Sequence, residues 1–313
     1  MKQLAEPVPG GDPLTAATYV RTRLPTRRAA LRDLGDQACP ATGADLLRDL
    51  GYDRRVTVQR FTGPPHPDRD RQFRSRARLL EACRAAGLPV RSVGTKETEL
   101  VGNFAHGGRA GVDEPDAVNA HAFRTAARCR SVPSGLDDLL ANRGPVVVGT
   151  AADTPPFAAA AVARWWSRVG GHRSRGAGEL RLLADGGGSN GCRPRRWKQC
   201  RQEVVADRDG RDVTGCHYPR GASKWNPVEH RLFGPISINW AGVPLRSPGV
   251  MLGFVRGTTT AGGLVVTAEW WGRKYAKGVK GTDAEMAELS IEPHGTCPRG
   301  NDTISPRGWE QCN

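Results

Sequence analysis

The sequence has few aromatic residues, no closely spaced cysteine pair and no long apolar run. Phe, Trp and Tyr make up 6% of the 313 residues, so the core has few large rings to fill it. None of the eight cysteines belongs to a Cys-x-x-Cys pair. The opening residues, MKQLAEPVPGGDPL, lack the apolar segment of a signal peptide, and no run approaches the roughly 20 apolar residues of a transmembrane helix. We therefore expect a cytoplasmic protein with reduced cysteines and no membrane partner.

Acidic residues are scarce relative to basic ones. The chain has 32 Asp and Glu against 46 Lys and Arg, of which 39 are Arg, and its formal net charge is +14. Such a charge suits a polyanionic partner such as nucleic acid, and guanidinium groups match phosphates well. A GC-rich coding sequence would also enrich arginine. The charge therefore favours nucleic acid as a partner without identifying it.

Periodicity predicts a helical region near the amino terminus. Residues 1–25, rich in Pro, Gly and Thr, are expected to form a loose lead-in. Residues 26–60 carry two short amphipathic segments, the second capped by Thr42 and ended by Gly51. Two short helices joined by a turn could form a helix-turn-helix, although any helical hairpin would look the same. A longer helix is expected in HPDRDRQFRSRARLLEACRAAG, ending at Gly87.

Strands and helices alternate further along the chain. We expect extended structure in LPVRSVGTKETELVGNF, GPVVVGTAADT, the run ending at Asp185, and RDVTGCHYP. Residues 105–143 show weak periodicity and are expected to be loop. TPPFAAAAVARWWSRVGG predicts a helix capped by Asp153 or Thr154, with Pro155 in its first turn.

Two acidic residues, Asp185 and Glu229, have predicted positions that are typical of catalytic residues. In LLADGGGSNGC a buried strand ends on Asp185, at the sheet edge where open α/β sheets bind ligands, and the following glycines let a large ligand approach. Ordinary turn formation explains the same Asp-Gly step. Glu229 follows Asn226, which is expected to cap a helix starting at Pro227. It therefore fits a capping box as well as a catalytic site.

Three segments resemble a known family. LLADGGGSNGCRPRRWK, CHYPRGASKWNPVEHRLFGPISINWAGVPLRS and RGTTTAGGL look like the DDE domain of the Rhodopirellula-type transposases of bacterial insertion sequences. The similarity extends through HPDRDRQF, TKETELVGNF and TDAEMAEL, roughly residues 40–305. It implies an RNase H-like α/β fold with a five-stranded mixed sheet and flanking helices. The catalytic domain would span 61–265, preceded by a degenerate helix-turn-helix-like remnant at 26–60 and followed by a C-terminal extension at 266–313.

The resemblance also implies a chemistry. In that family three acids hold two Mg²⁺ or Mn²⁺ ions at the scissile phosphate, because hard cations prefer oxygen ligands and two ions about 4 Å apart steady the attacking and leaving oxygens. Asp185 and Glu229 would be catalytic, metal-binding residues. The substrate would be double-stranded DNA at mobile-element ends, cleaved and transferred, and association into a homo-oligomer is open. The basic residues expected to contact DNA are Lys96, Arg193, Arg195, Arg196, Lys198, Lys224 and Arg231.

The first acid of the family is missing. SVGTKETELVGNF resembles the family segment SVDTKKKELVGNF, so Gly94 stands where the first catalytic aspartate belongs and offers no side-chain oxygen. Asp153, Glu97 and Glu99 could substitute, although strand alternation does not clearly point any of them at the same place. We therefore expect an impaired transposase or, alternatively, a catalytically dead DNA-binding relic.

A different hypothesis uses the cysteines. Cys192, Cys200, Cys216 and His217 are residue types that bind zinc, but their spacing matches no zinc motif. This hypothesis predicts a nucleic-acid-binding module with stoichiometric zinc.

Overall fold

The computed structural model describes residues 10–11, 18–19, 29, 31–35, 39–49, 68–111, 114–150, 152–219 and 222–308, and the chain forms two compact units, residues 1–62 and 63–313. The first unit contains two paired antiparallel strands, β1 (Gly10–Gly11) and β2 (Thr18–Tyr19), and helix α1 (Pro40–Asp49). Thr42 does not cap this helix, because the helix already begins at Pro40. The predicted stop at Gly51 lies outside the described residues.

The second unit alternates helices with strands. Its helices are α2 (Arg69–Ala86), α3 (Pro155–Trp165), α4 (Arg195–Arg201), α5 (Gly234–Asn239), α6 (Pro248–Arg256) and α7 (Asp283–Ala287). Its strands are β3 (Val90–Thr95), β4 (Glu99–Val101), β5 (Cys129–Asp138), β6 (Arg143–Gly149), β7 (Glu179–Ala184), β8 (Asp212–His217), β9 (Val265–Trp271), β10 (Ile291–Pro293) and β11 (Asn301–Ile304). Helical turns continue α3 to Arg173 and α4 to Asp209, and Glu229–Phe233 form a π-helical turn that leads into α5. None of the described helices is both long and apolar enough to cross a bilayer.

These strands form one mixed sheet, whose order is β10-β11-β8-β7-β3-β5-β6-β9, with β4 paired to β5. Strands β3, β5 and β6 are neighbours in antiparallel pairs. Strands β7 and β8 continue the sheet on the other side of β3 in parallel. Three antiparallel strands followed by two parallel ones is the RNase H-like arrangement, so the expected fold class is confirmed.

Two features of the sheet differ from the sequence-based expectation. Residues 105–143, expected to be loop, contain β5. Its Pro133 and Gly135 break the alternation of apolar residues, but the strand pairs with β3 on one side and β6 on the other. Pairing on both sides provides hydrogen-bond partners for the backbone N–H and C=O groups of β5, so the strand forms without an alternating pattern of apolar side chains. In addition, β9 lies beside β6, and β11 lies beside β8, so residues beyond 265 widen the five-stranded core at both edges.

Helices cover both faces of the sheet. The consecutive residues Val146, Val147 and Val148 are all buried, and they alternate between two apolar clusters as side chains on a strand must. Val147 belongs to the cluster that contains Trp165 of α3. Val146 and Val148 belong to the cluster that contains Leu232, just before α5. The central strands are therefore sandwiched, which makes their ends the accessible parts of the sheet.

A buried ion pair joins α4 to β11, the strand next to the edge strand β10. Arg201 is 0% exposed, and its Nη2 lies 2.5 Å from Oδ1 of Asp302. Lys198 Nζ lies 3.2 Å from the other carboxylate oxygen. Burial opposes ionisation of Asp302, but the two cations together hold its pKa below the ordinary value. The pair thus fixes β11 to the helix that follows Asp185.

We expect Asp302→Ala to lower the free energy of unfolding by about 3–5 kcal/mol, because it leaves Arg201 as an unpaired buried charge. The matched control is Asp283→Ala, which removes the partner of Arg195 at a site where the Asp283 side chain is 91% exposed. That loss should stay below about 1 kcal/mol. Urea denaturation of both variants at pH 7 measures the difference. Equal losses would show that the buried pair adds nothing beyond a surface contact.

Candidate active site

The carboxyl ends of two parallel strands bring the first site positions together. β3 and β7 pair with Ser92 opposite Leu183. Continuing this register by two residues places Gly94 level with Asp185, directly after β7. Because parallel strands end at the same edge of a sheet, Asp185 lies beside the position of the missing acid.

Glu229 reaches the same place from the π-helical turn before α5. A Cβ atom built on Gly94 would lie 3.6 Å from Oε1 of Glu229 and 2.8 Å from Cγ1 of Val228. A side chain at position 94 would therefore face the Glu229 carboxylate, provided that Val228 moved slightly. Position 94, Asp185 and Glu229 thus converge, although they are far apart in the sequence.

The pKa values of both carboxyl groups are raised. Burial raises the pKa of Asp185, and the hydrogen bond from Asn226 and the charge of Arg76 offset this only in part. Burial also raises the pKa of Glu229, and the negative charge of Asp185 raises it further. Oδ1 of Asp185 is buried without a hydrogen-bond partner among the described residues. A cation at this position would therefore relieve both the repulsion and the unsatisfied oxygen.

The side chain of Asn226 ties these elements together. Its amide donates to the carbonyl oxygen of Val93 at 3.2 Å, accepts from the Ser92 hydroxyl and bonds to the Asp185 carboxylate. The Ser92 hydroxyl in turn accepts from the backbone N–H of Val228 at 3.1 Å. Helical backbone begins at Pro227, as expected, but the side chain of Asn226 makes these bonds to β3 and Asp185 instead of capping the helix. The residue is fully buried against β3, so its amide finds strand and carboxylate partners instead of helix N–H groups.

A cavity of about 320 Å³ opens at this edge of the sheet. It is lined by Gly94, Thr95, Asp153, Asp185, Gly186, Gly187, Gly188, Asn190, Arg193, Pro219 and Ser223. Oδ1 of Asp153 accepts hydrogen bonds from the hydroxyls of Ser189 at 2.5 Å and Thr95 at 3.2 Å. Of the three acids considered as substitutes, Asp153 is the one that lines this cavity. Glu99 instead pairs with Lys96 at 2.5 Å, and Glu97 acts on the site only through its charge, which raises the pKa of Glu229.

The candidate DNA-binding side chains differ in whether an acid already pairs with them. Arg193 is exposed and lines the cavity. Lys96 is paired with Glu99, and its charge lowers the pKa of the Glu229 carboxyl. Three more are paired with acids: Arg195 with Asp283, Lys198 with Asp302 and Arg231 with Asp137, whose Oδ2 lies 2.9 Å from Arg231 Nε. Arg196 lines a second cavity, and the side chain of Lys224 lies outside the described residues.

The cysteines and histidine of the zinc hypothesis do not assemble into a site. The two ring nitrogens of His217 lie 2.6 Å and 3.0 Å from the backbone oxygens of Gly300 and Asn190. Burial and the charge of Arg201 lower the pKa of this histidine. Over the part of the chain that the structure describes, no three His, Cys, Asp or Glu residues are grouped closely enough to hold one ion. Cys200 and Cys216 are buried in two different apolar clusters, and the Cys192 thiol donates to the carbonyl oxygen of Gly186 at 3.4 Å.

Sequence reasoning missed the role of Arg76. This residue of α2 stacks its guanidinium 3.2 Å from the ring centre of Tyr218, and its charge lowers the pKa of Asp185. Burial lowers the pKa of the Arg76 guanidinium itself. No local signal separates Arg76 from the other arginines of its helix, since the feature that distinguishes it is contact with a distant strand end. For Asn226 a signal existed, because it precedes the Pro-Val-Glu segment that carries Glu229.

The chain is similar to a known family and to several solved structures. The family model described as Rhodopirellula transposase DDE domain matches residues 1–306. Among solved structures, the Mos1 transposase paired-end complex with left transposon end is 12% identical, with a TM-score of 0.41 over 76% of this chain and 71% of that chain. The Mos1 strand transfer complex is 11% identical, with a TM-score of 0.39 over 77% and 71% of the two chains. No curated protein matches the chain.

We expect Mn²⁺ to bind this site and to bind more weakly as the pH falls from neutral. The pKa values of Asp185 and Glu229 are raised, so protons compete with the cation at a higher pH than they would at exposed carboxylates. Electron paramagnetic resonance of free Mn²⁺ measures the binding directly.

Asp185→Asn should remove most of this Mn²⁺ binding, because it removes a charged ligand while keeping the shape of the side chain. The control Asp116→Asn alters an exposed acid that is paired with Arg246 and should bind Mn²⁺ like the natural chain. Unchanged binding by Asp185→Asn would mean that the cation sits elsewhere.

Proposed function

The chain belongs to the family of the Rhodopirellula transposase DDE domain, and from this premise we propose that it acts on DNA at the ends of a mobile element with a catalytic site weakened by Gly94. Its reaction would be metal-dependent strand cleavage and strand transfer. The observation that carries the proposal is the convergence of position 94, Asp185 and Glu229 at one edge of an RNase H-like sheet.

The two carboxylates of the site fit one divalent cation, but the family uses three acids as metal ligands. Asp185 contributes a buried oxygen without a protein partner, and Glu229 contributes a second carboxylate whose ionisation a cation would favour. Gly94 contributes no side-chain oxygen. A divalent cation, when bound, neutralises charge at a phosphate and makes a water or a 3′-hydroxyl more nucleophilic.

The remaining side chains position the substrate and the acids. Asn226 holds Asp185 in a fixed orientation relative to β3. Arg193, exposed on the cavity wall, is placed to bind a phosphate of the strand that enters. Gly187 has open space where a Cβ would lie, so a DNA backbone can approach Asp185 closely there.

The missing acid limits activity because metal ligands set the geometry of attack. A misplacement of about 1 Å costs on the order of 100-fold in rate. Asp153 is the carboxylate on the cavity wall that could partly compensate, but its Oδ1 is already occupied by two hydroxyls. We therefore propose that the natural chain retains little activity.

We expect Gly94→Asp to raise the rate of nicking by about 100-fold, because it restores an oxygen ligand opposite Glu229. The assay uses a supercoiled plasmid carrying the genomic DNA that flanks this gene, with Mg²⁺ or Mn²⁺. Gly94→Asn is the matched control, since it meets Val228 in the same way but carries no charge. Asp185→Ala is the blank.

Two results would contradict this proposal. If the natural chain nicks as fast as Gly94→Asp, and Asp153→Asn abolishes that activity, Asp153 completes the site and the chain is not impaired. If Gly94→Asp binds the DNA and Mn²⁺ yet never nicks it, the alternative of a dead DNA-binding relic is favoured.

A further inference from the structure

A second cavity, of about 560 Å³, lies between α3, α4 and the residues that follow β9. Its lining comprises Pro156, Ala160, Ala163, Arg164, Ser167, Arg168, Arg196, Cys200, Glu203, Val204, Arg208, Trp271, Arg273, Tyr275, Ala276 and Val279. We refer to it as the arginine cavity. The cavity beside Asp185 described above is called the catalytic cavity below. It shares no lining residue with the arginine cavity.

Positive charge exceeds negative charge in the arginine cavity. Glu269 pairs with both Arg164, at 2.7 Å, and Arg168, at 3.1 Å, so two guanidinium groups share one carboxylate. The nearest approach of Arg196 to Glu203 is 3.6 Å. Arg273 is exposed, and its contact in the cavity is the Tyr275 ring, 5.7 Å away. An anionic ligand would therefore find donors that the protein does not fully use.

Aromatic rings form part of the same wall. The indole N–H of Trp271 donates to the hydroxyl of Tyr275 at 3.1 Å, which fixes the two rings relative to each other. The guanidinium of Arg164 stacks 4.0 Å from the centre of the Trp271 ring. Stacking rings beside guanidinium groups are the combination by which proteins bind single-stranded nucleic acid.

Residues that line the two cavities lie close together in the sequence at the start of α3 and at the start of α4. Before α3, Asp153 lines the catalytic cavity, and three residues later Pro156 lines the arginine cavity. Before α4, Arg193 lines the catalytic cavity, and three residues later Arg196 lines the arginine cavity. Three residues span at most about 11 Å even when fully extended. A strand that leaves the catalytic cavity therefore reaches the arginine cavity within a few nucleotides. The cavity volume is that of a site for one small ligand such as a nucleotide, rather than for a duplex.

We propose that the arginine cavity binds one unpaired strand of DNA next to the cleavage point, with Arg168 and Arg273 on phosphates and a base stacked on Tyr275. This inference rests on the proposed function for the identity of the ligand. It adds a separate subsite, which would hold a strand after the two strands of the duplex separate.

Equilibrium binding of a fluorescein-labelled oligothymidylate, measured by anisotropy in EDTA, tests this proposal. Arg168→Gln/Arg273→Gln should weaken binding at least tenfold and lower the slope of log affinity against log salt by about 1.4, since each single-strand phosphate contact contributes about 0.7. The control Arg143→Gln/Arg175→Gln removes the same charge from exposed arginines outside the cavity. The affinity of this control should stay within about twofold of that of the natural chain, because only the screened, long-range attraction of the lost charges is removed.

Stacking is tested separately. Tyr275→Ala should weaken oligothymidylate binding by roughly 5- to 100-fold, and Tyr275→Phe should bind like the natural chain, because the ring alone supplies the stacking. If both double arginine variants lost the same affinity for oligothymidylate, the arginine cavity would not be the binding site. If Tyr275→Ala bound with unchanged affinity, no base would stack on Tyr275, and the proposal of a single strand as ligand would be overturned. Because EDTA prevents cleavage, binding that depends on the cavity would stand even if the nicking assay failed.

Discussion

The hydrogen bonds of one buried amide hold the candidate site together. Asn226 bonds to Ser92 and Val93 of β3 and to the carboxylate of Asp185 after β7, and it lies three residues before Glu229. Two strands and a helix are thereby fixed at a single point. A buried amide of this kind is costly unless all its groups are satisfied, so the geometry of the site and the satisfaction of the amide depend on each other.

Glycine at position 94 has an electrostatic consequence for the candidate site. The charge of Asp185 already raises the pKa of Glu229, and a further carboxylate facing Glu229 would raise it more whenever no cation is present. Glycine removes that repulsion and also avoids the close contact with Val228.

The large positive charge is only partly available to a nucleic acid. Arg201 is buried against Asp302, and Arg91 is buried against Asp138 at 2.8 Å while its guanidinium lies over Trp165. These arginines stabilise the fold and carry no information about a ligand. What distinguishes the remaining ones is their placement, with Arg193 on the catalytic cavity and Arg273 beside Tyr275. The net charge is therefore compatible with membership of a transposase family, but it does not indicate which side chains would contact a nucleic acid.

Local patterns in the sequence were enough for the elements whose signals are local. Gly87 ends α2 in a left-handed conformation, as its position after an amphipathic run predicted, and the apolar run before Asp185 forms β7. The resemblance to a family supplied Asp185, Glu229 and the gap at Gly94. Only the tertiary structure decided that residues 129–138 form a central strand, that Asn226 serves a strand and a carboxylate, and that Asp153 shares a cavity with Asp185. The physical reason is that strand pairing and buried polar contacts are made between residues far apart in the chain, whose proximity leaves no periodic trace in the sequence around either one.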